Sequence, residues 1–554
     1  GQPPILRRAR PIMRLPMSIR TTQLQSASSR RDWLIRAAHI SALSTLPRWA
    51  WANDAKLQHN PFSLGVASGD PLPDGFVLWT RLMPHNNAQG GPGEGMGSQT
   101  VRWEVAADEG FQKIVASGAA SAEPMLAHSV HIEVRGLSPG RWYFYRFMHG
   151  DAVSTTGRTR TAPAEGDMPE RLRVIYASCQ RWEHGFYSAW RHACADQPDL
   201  VLFLGDYMYE YASPANPKGL ARVHDLPLPQ TLADYRNRYA LHKSDPALQA
   251  AHAIAPWVVT WDDHEVQNDY TGNYGKNGMS PDFLLMRTAA WQAFYEHMPL
   301  RASAMVDDTF HRVQLYRRIQ WGQLARFHVL DARQFRDPQA CRKPGSSTAG
   351  AVHPDQCAEL LDPARSFLGF PQEQWLQEGI SADAKGRNTP RWSVIAQQTL
   401  FSPRRYPSGT QSTDSWDGYP AARNRLVRAI EQQPPRNTVL LGGDIHQNYV
   451  CNVEATNARA VDGKKSRVVA SEFCGTSVTS RSGTTQDKVD AIKAINPHVL
   501  LARSEERGYG VCDITPTQWT TSLRATKDPL NPESGAYELA RFVVEDRKPG
   551  PQRA

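Results

Sequence analysis

The sequence predicts an α/β, or mixed α/β/β/α, domain over residues 171–545, preceded by a smaller all-β domain over residues 58–163. Two patterns lead to this prediction. Short runs with strand-like alternation and turns fill the first region, whereas apolar runs alternate with longer helical stretches in the second. Residues 161–169 between them contain two prolines and a glycine, as linkers do. With 554 residues, the chain is also too long for one typical domain.

Short β-rich runs and one marked turn predict an immunoglobulin-like or fibronectin-like sandwich in the first region. The turn Gly136–Gly140 leads into an aromatic strand. The predicted strands are Phe76–Arg81, Thr100–Val105, His128–Val134 and Arg141–Arg146. We expect this module to be structural or to present substrate.

The second region is organised around the apolar run Leu200–Leu204, which is followed by Gly205 and Asp206. A continuous apolar run predicts a strand buried on both faces. A strand that ends in Gly-Asp places the acid at the carboxyl edge of the sheet, where open α/β folds bind ligands. Asp206 alone could equally cap a helix, so its role depends on the other strands. These are Arg173–Cys179, Trp257–Trp261, Trp392–Ala396, Val439–Gly443 and Arg467–Ala470, and a helix is predicted over Tyr187–Ala195.

The net charge of +8 is confined to the N-terminal 52 residues. That segment has nine arginines and one acid, Asp32, whereas the rest of the chain has 54 basic and 54 acidic residues. Since no basic surplus remains for the folded part, a specific nucleic-acid partner is not expected.

Residues 1–52 have the features of an export leader. Ser29–Ile35 resembles the twin-arginine signal, with Trp33 where Phe is usual. A modest apolar region, Ala37–Leu46, precedes the A-x-A cleavage pattern Ala50–Ala52. We therefore predict a periplasmic or secreted protein that uses the twin-arginine export machinery. The mature sequence has no run of about 18 apolar residues, so no integral membrane segment is expected.

Seven cysteines in an exported chain allow disulfides, with at least one cysteine left over. The best local pair is Cys341 and Cys357, which flank a loop rich in Pro, Gly and Ser. Closing a loop of that length would contribute about 3 kcal/mol in the chain-entropy model.

Several predicted strands end in residues that bind metals. Cys179 closes one, Asp206 and Tyr209 follow another, and the Asp262–Glu265 run follows a third. A fourth is followed by Asp444 and His446, and a fifth ends in Gln397 and Gln398. Each could be a buried thiol, a solvated acid or a cap. Since all of them follow apolar strands of one domain, the set predicts a metal centre.

The order and spacing of these strand ends resemble the calcineurin-like metallophosphatase superfamily, specifically its PhoD-type alkaline phosphatase/phosphodiesterase branch. Gly205–Tyr209 matches the Gly-Asp-x-x-Asp/Tyr block, and Asp262–Glu265 matches Gly-Asn-His-Asp/Glu with Asp263 at the Asn position. Gly443–His446 matches Gly-His-x-His with Asp444 in place of the first His. Further similarity lies in Pro61–Pro84, Leu330–Arg336, Asp414–Pro420, Ala470–Phe473, Asn496–His498 and Arg507–Tyr509. The resemblance implies an α/β/β/α metallophosphatase sandwich.

Two departures from the superfamily pattern bear on the metals. Cys179 stands where the superfamily has Asp-x-His, and Gln397 stands where Val-x-x-His would supply a histidine. The donor types indicate one mixed-donor site and one oxygen-rich site that favours a hard ion. The resemblance implies Fe³⁺ and one or two Ca²⁺. In that assignment the iron ligands are Cys179, Tyr209 and His446, and Asp206 bridges the two metal sites. Asp263 and Asp444 hold calcium. Gln397 is a weaker candidate for a metal ligand, because Gln398 is adjacent.

The implied reaction is hydrolysis of a phosphate ester by hydroxide that two metal ions make available. His264 is expected to hold a phosphoryl oxygen or to protonate the leaving oxygen. Asp262 either orients that imidazole or joins the hard-metal site. The candidate substrate-side donors are Asn268, Arg333 and His498, for which a turn, a surface ion pair and a packed ring are the respective alternatives.

Other functions remain open at this point. A phosphodiesterase or phospholipase-D-like enzyme acting on lipids or wall polymers would use the same metal ions. A non-catalytic exported binding protein and a metal-dependent hydrolase of another ester or amide are alternatives of other classes.

Overall fold

Two large β-sheets face each other in this computed structural model, which describes residue 57 and residues 59–83, 97–455 and 467–554. The predicted leader, residues 1–52, lies outside the described residues. The first sheet has ten strands and combines parallel and antiparallel pairs. In sheet order they are β24 (Lys548–Arg553), β23 (Ala536–Glu545), β22 (Gln518–Thr526), β21 (Gly508–Ile514), β9 (Leu172–Ala177), β10 (Leu200–Leu204), β11 (Trp257–Thr260), β1 (Val66–Leu72), β2 (Gly75–Arg81) and β5 (Ser129–Val134).

The second sheet has seven strands, of which the central four run parallel. In sheet order they are β12 (Arg317–Trp321), β13 (Ala325–Val329), β15 (Trp392–Ala396), β17 (Thr438–Gly442), β19 (Val468–Cys474), β18 (Asn448–Glu454) and β20 (Val499–Arg503). A two-stranded ribbon pairs β14 (Ala351–Val352) with β16 (Gln411–Ser412).

Alternation along the buried strands builds a four-layer α/β/β/α arrangement. In β10, Leu200, Leu202 and Leu204 pack in a core with Val394 and Leu441 of the second sheet. The residues between them turn to the opposite face, because side chains alternate along a strand. There they pack with four helices, α1 (Ser188–Ala195), α2 (Leu232–Lys243), α3 (Pro246–Ile254) and α4 (Pro281–His297). The outer face of the second sheet is covered by α5 (Phe370–Lys385) and α6 (Pro420–Gln432). Helix α7 (Gln486–Ala494) lies between β19 and β20 in the chain.

The N-terminal region is a sandwich, but it is not separate from the catalytic sheet. Its β1, β2 and β5 extend the ten-stranded sheet, with β1 lying parallel to β11 and Gly69 opposite Trp257. The other layer of the sandwich is a separate five-stranded sheet. It contains β4 (Ile114–Ala122), β3 (Gln99–Ala106), β6 (Trp142–His149) and β7 (Ala152–Val153), with β8 (Gly157–Arg160) also paired to β6. Phe76, Trp103 and Tyr145 belong to the core between these sheets.

The two predicted domains are joined through one sheet. The region over residues 58–163 shares a sheet with the catalytic region, because β1 has hydrogen-bonding edges toward both β2 and β11. At the other end, β24 extends the sheet to Arg553, beyond the predicted end at residue 545. Four antiparallel strands, β21 to β24, thus flank the parallel strands.

Cys341 and Cys357 form the disulfide that the sequence predicts, and their Cα atoms lie 6.1 Å apart. Within the described residues, no helix combines the length and apolar character needed to cross a membrane.

Candidate metal centre

The carboxyl ends of parallel strands from both sheets converge on one group of side chains. Cys179 lies two residues after β9, Asp206 two residues after β10, and Asp444 two residues after β17. Their ligand atoms fall into overlapping sets within which all atoms lie within 4.8 Å of one another. The sets are Cys179, Asp206 and His446; Asp206, Asp263 and His264; and Asp206, Asp262, Asp263 and Asp444. Asp206 is common to all three, so the geometry supports a bridging position for it.

Several of these residues have a backbone conformation that is rare for residues other than glycine. Cys179, Asp206, Asp444 and His446 have φ values of 60°, 58°, 67° and 55°. Such left-handed conformations persist where surrounding structure enforces them, and they concentrate at functional sites. Gly205 has φ of 109°, and a Cβ there would lie 2.5 Å from Cβ of Asp262. The sharp turn after β10 therefore requires glycine.

One donor group combines sulfur, phenol and imidazole. The Tyr209 hydroxyl donates to Oδ2 of Asp206 at 2.9 Å and lies 3.0 Å from Nε2 of His446. Nδ1 of His446 donates to the carbonyl oxygen of Arg481 at 2.9 Å, which leaves Nε2 as the lone-pair nitrogen facing Tyr209. Burial, followed by the charges of Asp206 and Asp444, raises the pKa of the Cys179 thiol. A bound cation would reverse this effect and favour the thiolate.

The second donor group consists of four carboxylates. Asp206, Asp262, Asp263 and Asp444 are crowded together, although Asp262 also accepts a hydrogen bond from Nε of Arg333 at 2.6 Å. Oδ2 of Asp262 and Oδ1 of Asp263 are buried and accept no hydrogen bond within the described part of the chain. Buried carboxylate oxygens are normally satisfied, so these two fit a cation that the group would hold.

Crowding also shifts the acidity of this group. Burial, and then the charges of Asp414 and Asp263, raise the pKa of Asp444 to about 6. Burial likewise raises the pKa of Asp262, which Arg333 only partly offsets. Burial alone would raise the pKa of Asp263 too, but Arg333 and His264 hold it below its usual range. A cation among these oxygens would relieve the repulsion that favours protonation.

His264 is oriented by Glu210 and not by Asp262. Nδ1 of His264 lies 2.7 Å from Oε2 of Glu210, and the imidazole packs on Tyr209 with ring centroids 4.1 Å apart. Burial would lower the pKa of His264, but Glu210, Asp263 and Asp206 together raise it well above its ordinary value. Nε2 of this imidazole makes no hydrogen bond among the described residues.

Comparisons with known proteins identify the family of this chain. A model of the PhoD-like phosphatase family matches residues 174–523. The chain belongs to this family. A model of the N-terminal domain of PhoD-like phosphatases matches residues 48–163. Alkaline phosphatase D of Bacillus subtilis (strain 168) is 42% identical over 541 residues, which cover 94% of this chain and 88% of that protein. The solved structure of PhoD aligns with a TM-score of 0.82 and 41% identity, covering 90% of this chain and 93% of that chain.

Membership of the PhoD-like phosphatases makes the chain a phosphoric ester hydrolase. The resemblance seen in the sequence is confirmed, and so is the enzyme class. The alternative of a non-catalytic binding protein is thereby set aside. The metal ligands and substrate-side residues of this family member stay predictions, for which the structure gives the positions.

The two glutamines after β15 have different surroundings. The Gln397 amide lies within its own loop: its Oε1 accepts hydrogen bonds from the backbone nitrogen of Thr399 and from Nε1 of Trp416, both at 3.1 Å. The Gln398 amide nitrogen donates to Thr260, Trp261 and Leu330, while its Oε1 is buried without a hydrogen bond inside the described ranges. The Gln397 oxygen is thus engaged within its own loop, whereas the Gln398 oxygen is not, and Gln397 as a metal ligand stays a prediction.

Arg333 is fully buried and already engaged with acids. Its guanidinium donates to Asp262 and, through both terminal nitrogens at 2.8 Å, to the Asp414 carboxylate. These contacts let it neutralise part of the charge of the surrounding carboxylates, and a contact of Arg333 with substrate stays a prediction. The surface ion pair considered from the sequence is also ruled out by this burial.

The other two substrate-side candidates have different positions. Asn268 lies near His264, because its backbone nitrogen donates to Oε1 of Glu210 and its Oδ1 accepts from Tyr211. Asn268 also lines a cavity of about 270 Å³ with Glu210 and Tyr211. His498 lines a different cavity, where its Nε2 is 2.8 Å from the carbonyl oxygen of Pro403. No member of the donor groups lines that cavity, so the structure does not bring His498 to the metal centre.

Sequence reasoning missed the acids that hold the donors in place. Glu210 orients His264, and Glu265 accepts hydrogen bonds from the backbone nitrogens of Asp206, Tyr207 and Asp262. The sequence does show an acid, Glu210, directly after Tyr209. Its hydrogen bond with His264, 54 residues away, could not be predicted from the sequence.

Proposed function

We propose that this phosphoric ester hydrolase uses Fe³⁺ together with one or two Ca²⁺ ions. Cys179, Tyr209 and His446 would hold the iron, and Asp262, Asp263 and Asp444 the calcium, with Asp206 shared. The observation that carries this proposal is the overlap of two chemically different donor groups at Asp206. Thiolate and phenolate suit a trivalent iron, whereas an all-carboxylate group suits a hard, oxygen-seeking ion.

The bound cations would supply positive charge for the phosphoryl oxygens and lower the pKa of water. The chain's own residues then orient the reactants. His264 presents Nε2 to the leaving oxygen, since Nδ1 is held by Glu210. Because its pKa is raised, His264 keeps the proton it must donate at neutral and mildly alkaline pH. Arg333 neutralises part of the negative charge of the carboxylates through its ion pair with Asp262.

Metal analysis of natively produced protein tests the assignment. We expect iron and calcium, and a visible charge-transfer band that disappears in Tyr209→Phe. The matched control is Tyr211→Phe, which removes the hydroxyl next to the site but not a proposed ligand. A colourless, zinc-only and active enzyme would contradict the iron assignment.

A phosphodiesterase activity is the second candidate, and one observation favours it. The cavity beside Asn268 and Tyr211 lies next to His264 and has room for a second alcohol group. Rates on 4-nitrophenyl phosphate and on bis(4-nitrophenyl) phosphate, measured side by side, distinguish the two. Equal or faster turnover of the diester supports a diesterase, including the phospholipase-D-like alternative, and turnover of the monoester alone supports the phosphatase.

We further propose periplasmic or secreted localisation through the twin-arginine export machinery. Arg30 and Arg31 in the leader support it. Because this machinery carries folded proteins, the metals could be loaded before export. Replacing both arginines with lysine should retain the protein in the cytoplasm, measured by fractionation. Normal export of the double variant would contradict the proposal.

A further inference from the structure

Three arginines lie near the donor group of Cys179, Tyr209 and His446. They belong to neither donor group. Arg181 follows Cys179 by two residues, Arg481 lies in the loop after β19, and Arg507 immediately precedes β21. These three residues are called the arginine rim below.

The arginine rim is fixed to the proposed iron ligands by hydrogen bonds. The backbone nitrogen of Arg181 donates to Oγ of Ser480 at 3.1 Å, and Ser480 donates to the Tyr209 hydroxyl at 2.8 Å. The carbonyl oxygen of Arg481 accepts from His446 at 2.9 Å. The loop bearing Arg481 is also joined to the backbone next to Arg507, where Gly508 donates to Ser477 at 2.8 Å.

The rim has more positive charge than its neighbours neutralise. Arg181 forms an ion pair with Glu183 at 3.2 Å, but Glu183 is shared with His224 at 3.3 Å. Arg481 donates to the carbonyl oxygen of Gly219 and has no ion pair with a described residue. Arg507 uses one terminal nitrogen on backbone carbonyl oxygens, and its Nε is buried without a hydrogen bond in the described part of the chain.

The hydrogen bonds that join the three arginines also bring their charges near neighbouring titratable groups. Burial, and then the charge of Arg481, lower the pKa of Arg507 to about 10. Burial, and then Arg181 and Arg481, lower the pKa of His184 to about 4. Nδ1 of His184 accepts from the backbone nitrogen of Arg481 at 3.1 Å, which places it within the same cluster. An anion here would therefore be stabilised by several cations at once.

The rim is separate from the four carboxylates. The guanidinium of Arg181 lies 4.9 Å from the ring centre of Tyr211 and 5.9 Å from that of Tyr209. It is therefore closer to Tyr211, which is the more exposed of the two tyrosines. The Arg481 side chain reaches Gly219, a residue outside the donor groups. An anion held by the rim would thus lie beyond a phosphoryl group placed over Asp206.

We propose that Arg181, Arg481 and Arg507 bind a second anionic group on the substrate. The preferred phosphate esters would then carry a carboxylate or a further phosphate on their alcohol part. Arginine suits this role because its planar guanidinium binds both anions through two parallel hydrogen bonds. The inference rests on the proposed function, because it assumes that the reacting phosphoryl group lies at Asp206.

Two esters of one shape test the inference in the holoenzyme: 4-carboxyphenyl phosphate and 4-carbamoylphenyl phosphate, which differ by one negative charge. The wild type should have the lower KM for the carboxylate. Arg481→Gln, at an exposed position, should raise the KM for the carboxylate about tenfold more than that for the amide, since one charge-assisted pair is lost. Arg481→Lys should recover part of the preference.

Arg467→Gln is the matched control. Arg467 precedes β19, at the opposite end of that strand from Arg481, and pairs with Glu431 at 2.8 Å. It should leave both KM values unchanged. Equal KM values in the wild type would overturn the inference, as would an equal rise for both esters in Arg481→Gln, because the rim would then bind the reacting phosphoryl group.

Binding measurements separate a failure of this inference from a failure of the proposed function. Calorimetric titration with 4-carboxybenzylphosphonate and 4-carbamoylbenzylphosphonate needs no turnover. Tighter binding of the carboxylate, lost in Arg481→Gln, supports the rim even if neither ester is hydrolysed; equal binding counts against it. A third ligand with phosphonate in place of carboxylate shows which of the two anions the rim prefers.

Discussion

The imidazole of His264 owes its properties to carboxylates with unequal roles. Asp206 and Asp263 belong to the donor groups, and a bound cation would neutralise much of their charge. Glu210 lies outside those groups and keeps its hydrogen bond to Nδ1. With cations bound at the donor groups, Glu210 would therefore be the residue that sets both the orientation and the acidity of His264.

Glu210→Gln should reduce kcat about 10- to 100-fold while leaving the metal content unchanged. The Glu210 charge raises the pKa of His264, so its removal lowers that pKa and the imidazole loses its proton at a lower pH. If His264 acts as the acid, the alkaline limb of the kcat profile moves to lower pH. A pH–rate series checks this, with Glu210→Asp as the charge-preserving control. An unmoved alkaline limb would show that His264 is not the acid.

Lys243, at the end of α2, is a buried cation without a carboxylate partner among the described residues. Its Nζ lies 3.5 Å from Nε2 of His252 and 4.2 Å from the ring centre of Trp79. Burial lowers its pKa from 10.5 to about 7. Between these values the unfolded chain binds more protons than the folded one, so the unfolding free energy rises with pH by up to about 1.4 kcal/mol per pH unit.

Lys243→Met should therefore be more stable than the wild type at pH 7, with a difference that shrinks toward pH 10. Thermal unfolding at several pH values measures it, and Lys113→Met at an exposed position is the control. A difference that does not change with pH would show that Lys243 stays charged in the folded protein.

At the scale of single elements, the parallel strands were predictable and several antiparallel ones were not. Continuous apolar runs identify β10, β11, β15 and β17, because both faces of these strands are buried. By contrast, β4 is largely exposed and, after Ile114 and Val115, consists only of Ala, Ser and Gly, so most of it lacks the β-branched and aromatic residues that mark a strand. Only its pairing with β3 determines its conformation.

The turn after β10 gives a direct test of the strand-end geometry. Gly205→Ala places a Cβ 2.5 Å from Asp262 at a φ of 109°, so either the backbone or Asp262 must shift. We expect activity to fall at least tenfold, with a lower melting temperature. Gly278→Ala separates backbone strain from the clash, because Gly278 has φ of 86° but no atom within 4 Å of the new Cβ. It should cost about 1 kcal/mol and leave activity intact; equal effects of the two substitutions would contradict the clash.

The Cys341–Cys357 disulfide closes the loop that carries Ser346, Ser347 and Thr348 of the cavity beside Asn268. Replacing both cysteines with serine should lower stability by up to about 3 kcal/mol, and should speed proteolysis within this loop. Cys194→Ser, at a free and partly exposed thiol, is the control. Unchanged protease sensitivity of the double variant would show that the loop is held by its hydrogen bonds alone.

At the scale of the whole molecule, the sequence located most side chains of the two donor groups but not the residues that hold them in place. Strand ends could be recognised because each donor follows an apolar run within a few residues. The contacts of Glu210 and Asp414 could not be predicted, since they join residues that are distant in sequence. The junction between the two predicted domains was hidden for the same reason: strand pairing between β1 and β11 leaves no local pattern.

That junction predicts how the chain unfolds. Nε of Arg317 in the catalytic region donates to the buried Asp70 of β1 at 2.9 Å, and Nε1 of Trp79 donates to the carbonyl oxygen of Glu296 at 2.9 Å. Removing residues 1–163 would expose the edge of β11 and leave Arg317 without its carboxylate. An open, apolar strand edge promotes aggregation.

We therefore expect residues 164–554 to be insoluble when produced alone. We expect the full-length protein to unfold in one calorimetric transition. Asp70→Asn is a milder variant that weakens the junction without deleting the sandwich, and it should lower the melting temperature of that single transition. Arg135, which pairs with Asp74 on the surface at 3.1 Å, provides the control: Asp74→Asn removes an exposed pair and should have little effect. Two separate transitions, or a soluble and active 164–554 fragment, would show that the sandwich is an independent domain despite the shared sheet.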